Sequence, residues 1–207
     1  MKKNISRVRV AVAALIGGVI LLGATSTSSA AGTTSMAAVL TADGNQFDNN
    51  SKDFDVLTEA VLAVLANNPN SAVKVLTEGT VALTVFAPTD EAFRALVKDL
   101  TGKNVRSEKK IFAAVAGLGL PTVEAVLLYH VVAGSTITSK QALKADGATL
   151  SMASGGKVSV DVTNKKITLT DANDSLKDPM VIAVDINKGN AQIAHAIDRV
   201  LIPLSKL

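Results

Sequence analysis

The spacing of apolar residues changes from a helical to a strand period along the chain, and this change limits the folds open to it. Between residues 56 and 66, apolar side chains recur at helical spacing, at Leu57, Val61, Leu62 and Leu65. From residue 158 they alternate with polar ones, at Val158, Val160 and Val162 and again at Ile167 and Leu169. The first spacing is typical of an amphipathic helix and the second of a half-buried strand. The chain is therefore predicted to form an α+β domain, with helices first and strands later.

One predicted strand lies among the helices, at residues 82–87. The apolar run ends at Pro88, which has no N–H to give to a sheet ladder. Thr89 is a suitable N-cap for the helix that follows, and Asp90 and Glu91 fall in its first turn, where the helix dipole favours acids. The segment is therefore predicted to be a strand–helix junction with a sharp change of direction.

The remaining elements follow from the same patterns. Asp55 is the predicted N-cap of the helix over 56–66. The pair Asn164-Lys165 is predicted to form the turn of a hairpin with one buried face. Further elements are predicted as short helices over 71–77, 108–115 and 122–128, and as strands over 180–185 and 193–197.

The composition excludes several classes of site. The chain has no Cys and no Trp, one Tyr, and 48% apolar residues, so its core must be aliphatic and it has neither disulfides nor thiolate sites. Four of the 21 basic side chains lie in the first ten residues, and none of the 18 acidic ones lies in residues 1–30, so the rest of the chain has a formal charge near −1. Near-neutral charge and scarce aromatic rings argue against a nucleic-acid partner.

Residues 1–30 have the pattern of a secretory signal peptide. Four cations precede an uncharged apolar stretch over 10–22, and small residues allow cleavage at Ala30 or Ala31. The alternative is an uncleaved membrane anchor, but the stretch is shorter than the ~20 residues that span a bilayer. We expect a cleaved signal peptide (1–30), a flexible linker (31–34), one domain (35–204) and a short tail (205–207). No membrane span is expected after cleavage, so the product is expected outside the cell or at its surface.

Three segments together resemble the fasciclin (FAS1) family. The segment 83–93, Leu-Thr-Val-Phe-Ala-Pro-Thr-Asp-Glu-Ala-Phe, is similar to the first signature of that family. The segment 128–134, Leu-Tyr-His-Val-Val-Ala-Gly, is similar to its tyrosine–histidine motif, and 193–203, Ile-Ala-His-Ala-Ile-Asp-Arg-Val-Leu-Ile-Pro, to its second signature. The three occur in the order and at about the spacing of the family. In the family, the last signature often has Asn-Gly just before the strand, with the His four residues after the Asn. Here Asn190 is followed by Ala191, and His195 comes five residues after Asn190. This departure is in the style of a bacterial, actinobacterial branch.

The resemblance implies a fold and a role. The fold is a wedge-shaped β-sandwich with short helices packed along one edge. The role is extracellular and non-catalytic, commonly adhesion through contacts with a protein or polymer at the cell surface or in the matrix. The candidate binding residues in the matching segments are Asp90, Tyr129, His130, His195 and Asp198.

Each candidate also has a structural interpretation. His130 and His195, the only two histidines, could form a metal or acid–base pair, or each ring could be buried and hydrogen-bonded. Tyr129 could be a contact residue or a core side chain. Asp90 could contact a partner or cap a helix. A metal site needs more ligands, and the acids are scattered along the sequence, so neither metal nor cofactor is expected.

Two functional hypotheses remain. No Gly-x-Ser-x-Gly elbow and no phosphate-binding loop occur, so we expect no enzyme. The first hypothesis is the adhesion module. The alternative is a carrier of a small apolar ligand such as a carotenoid or lipid, since the aliphatic composition with Met36, Met152 and Met180 allows an apolar groove.

Overall fold

A computed structural model describes residues 31–42, 44, 47–48 and 50–204. The predicted signal peptide (1–30) and tail (205–207) lie outside the described residues. The helices are α1 (Met36–Leu40), α2 (Asp55–Asn67), a 3₁₀ helix (Ala72–Thr77), α3 (Asp90–Thr101), α4 (Glu108–Ala116), α5 (Leu120–Tyr129) and α6 (Ser139–Ala142). The strands are β1 (Leu83–Pro88), β2 (Val131–Ala133), β3 (Thr149–Ser151), β4 (Lys157–Thr163), β5 (Lys166–Thr170), β6 (Val181–Ile186) and β7 (Gln192–Ile197).

The strands form two sheets. A mixed four-stranded sheet has the order β2-β1-β7-β6, in which β1 and β7 are parallel, with Phe86 opposite His195. An antiparallel three-stranded sheet has the order β3-β4-β5. All residues of β1 and β7 are buried, so these two strands are covered on both faces.

The two faces of the larger sheet belong to different apolar cores. On one side, Val85, Ala87 and Ala194 pack with the buried residues of the helices. On the other, Phe86 and Ile197 pack with Val158, Val160, Ile167 and Leu169 of the smaller sheet. The predicted α+β class with two packed sheets and short helices is confirmed.

The predicted β4–β5 hairpin is confirmed in detail. Val160 lies opposite Leu169 in the register, and both are buried. The turn residues Asn164 and Lys165 have φ of 53° and 62°. Two successive left-handed residues match the twist of the flanking strands, which is why Asn is favoured at such turns.

The cap of α2 differs from the prediction. The helix begins at Asp55 itself, and the N-cap residue Phe54 gives no side-chain bond. Instead Asp90 Oδ1 accepts a hydrogen bond from the Val56 N–H at 3.0 Å. A residue distant in the sequence therefore caps this helix, and local spacing does not reveal such a cap.

The end of β1 agrees with the prediction. Pro88 is the last residue of the strand and lies opposite Ile197. The N–H groups of a strand alternate between its two neighbours, and Thr89 N–H, on the β7 side, donates to the Ile197 carbonyl at 3.3 Å. Thr89 is the N-cap of α3 as predicted, and its side chain accepts from the Ala92 N–H.

The segment 31–34, predicted as a flexible linker, makes hydrogen bonds in the structure. Gly32 N–H donates to the Gly189 carbonyl at 2.7 Å, and Thr34 N–H donates to Asn190 Oδ1 at 2.9 Å. Ser35 then caps α1 by accepting from the Ala38 N–H. Helices α1 and α6 and strand β3 were not predicted, because they have three to five residues each and are too short to show a period.

Within the described residues, none of the helices is long and apolar enough to cross a membrane by itself. Only α4 and α5 taken together meet that test of length and composition, and they are bent by 104° at their junction.

Candidate functional site

His130 lies at the point where α5 ends, and both of its ring nitrogens bond to the backbone. Nδ1 lies 2.7 Å from the Val126 carbonyl, and Nε2 accepts from the Leu201 N–H at 2.9 Å. An imidazole that donates from Nδ1 and accepts at Nε2 is neutral. Burial lowers the pKa of His130 to about 4, so the ring stays neutral at physiological pH.

His195 lies on β7, with its ring 6.0 Å from that of Phe86, centroid to centroid. Nε2 lies 2.8 Å from the Ile137 carbonyl, and the Asp185 N–H donates to Nδ1 at 3.3 Å. Burial lowers the pKa of this imidazole as well. Both nitrogens of each histidine therefore lie within hydrogen-bonding distance of backbone groups, as the structural interpretation of the two rings expects.

Tyr129 connects α5 to the hairpin. The side chain is buried, and its hydroxyl donates to the Lys157 carbonyl at 2.7 Å. Burial raises the pKa of the phenol. A Cβ at Gly156 would lie 2.5 Å from Tyr129 Cε2, so glycine there allows the ring to pack directly on the backbone of the turn.

Asp90 and Asp198 both hold backbone amides. Asp90 is fully buried and caps α2, as described above. Asp198 is half-buried, and its Oδ1 accepts from the Met180 N–H at 2.7 Å, while its own N–H donates to the Met180 carbonyl. This reciprocal pair joins the segment after β7 to the segment before β6.

The five candidate residues therefore do not form one exposed site. Asp90, Tyr129, His130 and His195 are buried, and Asp198 is half-buried. Tyr129 and His130 are adjacent in the chain, but their polar atoms bond to different segments. Tyr129 bonds to the backbone of residue 157, and His130 bonds to the backbone of residues 126 and 201. Of the five, His130 alone lines the apolar cleft described next.

An apolar cleft of about 290 Å³ opens between the helices and the C-terminal segment. The floor is formed by Phe93 and Leu96 of α3 and by Val123 and Leu127 of α5. His130 and Thr122 are the polar side chains of a lining that is otherwise aliphatic or aromatic. A cleft of this composition binds apolar groups and offers few hydrogen bonds to orient them.

All three segments that carry the family resemblance contribute to this cleft. The first provides Pro88 and Phe93, and the second provides His130. The third provides its final residues, Val200, Ile202 and Pro203. Residues far apart in the sequence thus meet at one concave surface.

Three leucines that the sequence analysis did not single out line the cleft and remain exposed. Leu100, Leu118 and Leu204 have 41%, 47% and 52% of their surface accessible, and we call them the leucine rim. One signal was available for Leu118, which lies between Gly117 and Gly119 in a connecting loop where a large apolar residue has no core to fill. Exposed apolar groups around an apolar cleft are typical of a contact surface.

The fold also brings together acids that are scattered along the sequence. Oxygens of Asp53, Asp55 and Asp90 lie within 4.8 Å of one another, and so do those of Asp48, Asp55 and Glu108. Asp55, Asp90 and Glu108 are buried. Burial, together with the neighbouring Asp53, raises the pKa of Asp90 to about 8.

Comparisons with known proteins identify the fold. The family model of the fasciclin domain matches residues 55–203. A solved structure that matches is the FAS1 domain pair from the insect cell adhesion molecule fasciclin I, with a TM-score of 0.50 and 18% identity. The match covers 70% of this chain and 46% of that chain, so this chain spans about half the length of its structural match. No curated protein matches. At this identity the structural likeness shows the fold alone.

Proposed function

The chain belongs to the fasciclin domain family, and from this membership we propose that it is a secreted, non-catalytic module that adheres to a protein or polymer at the cell surface or in the matrix. Fasciclin domains are generally non-enzymatic adhesion modules and are usually extracellular or at the cell surface. The proposal includes export through cleavage of residues 1–30, release of a domain over 35–204, and a bacterial, actinobacterial source. It includes no nucleic-acid partner and no membrane span after cleavage.

The observation that carries this proposal is the apolar cleft with its leucine rim. Exposing Leu100, Leu118 and Leu204 around an apolar opening is unfavourable in water unless a partner covers them. A partner that inserts an apolar group into the cleft would bury the rim at the same time. The anchoring group would fill the concave centre, which is where binding energy concentrates in protein interfaces.

The chemistry of the site supports binding rather than catalysis. Both imidazoles are neutral and bonded to the backbone, so neither is available as a general base without breaking a buried hydrogen bond. The chain has no cysteine nucleophile.

Adhesion is tested at the leucine rim. We expect beads coated with the protein to attach to the producing cells or to matrix polymers well above an inert coat, and we expect Leu118→Asp to reduce attachment at least about fivefold, because a desolvated carboxylate opposes burial. The matched control is Ile182→Asp, which places the same change at an exposed residue of β6 outside the cleft. Attachment is counted by microscopy, with folding checked by circular dichroism.

The outcomes separate clearly. Loss of attachment in Leu118→Asp alone supports adhesion through the cleft. Equal attachment of both variants would assign adhesion to another surface of the domain. Attachment no higher than that of the inert coat, to any cell or polymer, would contradict the proposal.

The second candidate function is carriage of a small apolar ligand, and the apolar lining of the same cleft favours it. A volume of about 290 Å³ lies just below the roughly 300–1,000 Å³ range of small-molecule pockets. A carotenoid or lipid would therefore place only part of its chain in the cleft and extend across the leucine rim.

If the protein is a carrier, we expect about one apolar molecule per chain to remain bound when the protein is purified from its own source. We expect Val126→Phe to abolish this binding, because the larger side chain fills the cleft. The control is Val184→Phe, since Val184 is exposed on β6 and does not line the cleft. Solvent extraction followed by mass spectrometry measures the ligand, and visible absorbance reports a carotenoid. Equal ligand content in both variants, or none in the native protein, would rule against carriage.

A further inference from the structure

The structure assigns a second site to this protein, and we propose that the carboxylates of Asp53, Asp55 and Asp90 bind one divalent cation of the calcium type. The site lies apart from the apolar cleft, since none of its three residues lines the cleft. The inference therefore stands independently of the proposed function.

The first argument is geometric. One carboxylate oxygen from each of the three residues lies within 4.8 Å of the others. Calcium binds oxygens at about 2.3–2.6 Å, so two ligands on opposite sides of the ion are separated by roughly that span. All three oxygens can therefore contact a single ion. Asp53 is half-buried, which leaves a route from solvent into the cluster.

The second argument is the state of Asp90, which is fully buried. Its Oδ1 accepts from the Val56 N–H, so that oxygen is committed to the cap of α2. Its Oδ2 is buried and receives no N–H from the described residues, while the carboxyl lies within hydrogen-bonding reach of the Asp53 carboxyl. Buried carboxylate oxygens are normally satisfied, and this one can be satisfied by a proton shared with Asp53 or by a cation bound between the carboxyls.

The third argument is electrostatic. The charged groups that act on Asp90 include Asp53 and Glu108, and both are negative. Glu108 and Asp48 form a second group with Asp55, so two groups of three carboxyls share that residue. Burying like charges is costly unless they are neutralised. A single proton neutralises one carboxyl, whereas a divalent cation neutralises two and bonds to all three.

The choice of calcium rests on the ligands. All the groups are hard oxygen donors, with no thiol or imidazole among them. Such a ligand set favours calcium, magnesium or manganese over softer metals such as zinc or copper. The ligands come from the segment before α2, from α2 and from the start of α3, so binding would tie two helix N-termini together. Calcium accepts such irregular oxygen sets more readily than magnesium does.

Equilibrium dialysis of the purified full chain, stripped with a chelator, against radiolabelled calcium chloride at pH 7.5 tests the stoichiometry. We expect close to one calcium per chain at 1–10 mM, a concentration typical of about 10⁻⁴–10⁻³ M extracellular sites. Less than about a tenth of an ion per chain would overturn the proposal, and would indicate that a shared proton alone neutralises Asp53 and Asp90. This measurement needs no variant.

Thermal unfolding in the same buffers tests the residues. We expect 10 mM calcium to raise the Tm by about 5–10 °C, the shift for a ligand near 100 times its Kd. Asp53→Asn should lose the shift, and the control Asp99→Asn, an exposed acid of α3 with the same change of charge, should keep it. An equal shift in both variants, or a shift with magnesium and none with calcium, would overturn the assignment.

Discussion

Acidification from pH 7 to pH 4 is expected to lower the free energy of unfolding of the native protein by about 3 kcal/mol more than that of the variant His130→Asn. Burial lowers the pKa of His130 in the folded protein to about 4, from 6.5 for the ordinary group. Between these values only the unfolded chain binds the proton, so the contribution is complete above pH 6.5 and is lost as the pH falls toward 4. Each pH unit of the difference corresponds to about 1.4 kcal/mol.

The comparison with His130→Asn is needed because other groups act in the opposite direction. The pKa of Asp90 is raised to about 8, so that carboxyl favours the folded state as the pH falls through the same interval. Its effect is common to both proteins and cancels in the difference. Asn keeps a donor for the Val126 carbonyl but leaves the Leu201 N–H without an acceptor.

Urea unfolding of both proteins at pH 7, 5.5 and 4 gives the difference. Proton NMR of the His130 ring in the native protein gives the pKa directly and does not depend on the variant. A ring that titrates near 6.5 would show that the imidazole is not held neutral by burial, and the predicted loss would then be absent.

Replacement of Gln192 with Ala is expected to destabilise the domain by about 3–5 kcal/mol. Gln192 is fully buried, and its Oε1 accepts from the Met36 N–H at 2.6 Å. Its Nε2 donates to the carbonyls of Val75 and Glu78 at 2.8 and 2.9 Å. The variant leaves the buried Met36 N–H without a partner, which costs about 1–3 kcal/mol, and it removes one of the two hydrogen bonds at each of the Val75 and Glu78 carbonyls, each worth about 0.5–1.5 kcal/mol. The side chain therefore joins α1 and the 3₁₀ helix to β7.

Denaturant unfolding measures this loss, and amide hydrogen exchange at Met36 locates it. The control is Gln141→Ala, which removes an exposed glutamine from the capping box of α6 and is expected to cost no more than about 1 kcal/mol. If Gln192→Ala costs as little as this control, the buried amide does not hold these elements together.

The buried positions of Tyr129 and His130 affect how binding should be tested. Substituting either side chain removes hydrogen bonds from the core, so a loss of adhesion would not distinguish an interface from an unfolded domain. Leu118 is exposed and lines the cleft, so its substitution changes the surface without removing a core contact. The five residues proposed from the sequence as binding residues stay candidates, and of these His130 alone lines the cleft.

Local patterns in the sequence determined the larger elements and their order. The alternation of Val158 and Val160 predicted a strand with one buried face, and Asn164-Lys165 predicted its turn. The helical spacing around Val61 predicted α2, and Thr89 predicted the start of α3. These features depend on neighbours within a few residues, so the printed sequence contains the whole signal.

Tertiary structure alone decided the rest. The cap of α2 comes from Asp90, the acids of the proposed cation site come from residues 53–55 and from the start of α3, and the cleft is formed where all three family segments meet. No local spacing encodes the contacts between these segments, because the segments lie tens of positions apart. The sequence therefore determined what the chain is built from and which family it resembles, whereas only the packing of those elements placed the leucine rim and the acidic cluster at defined positions.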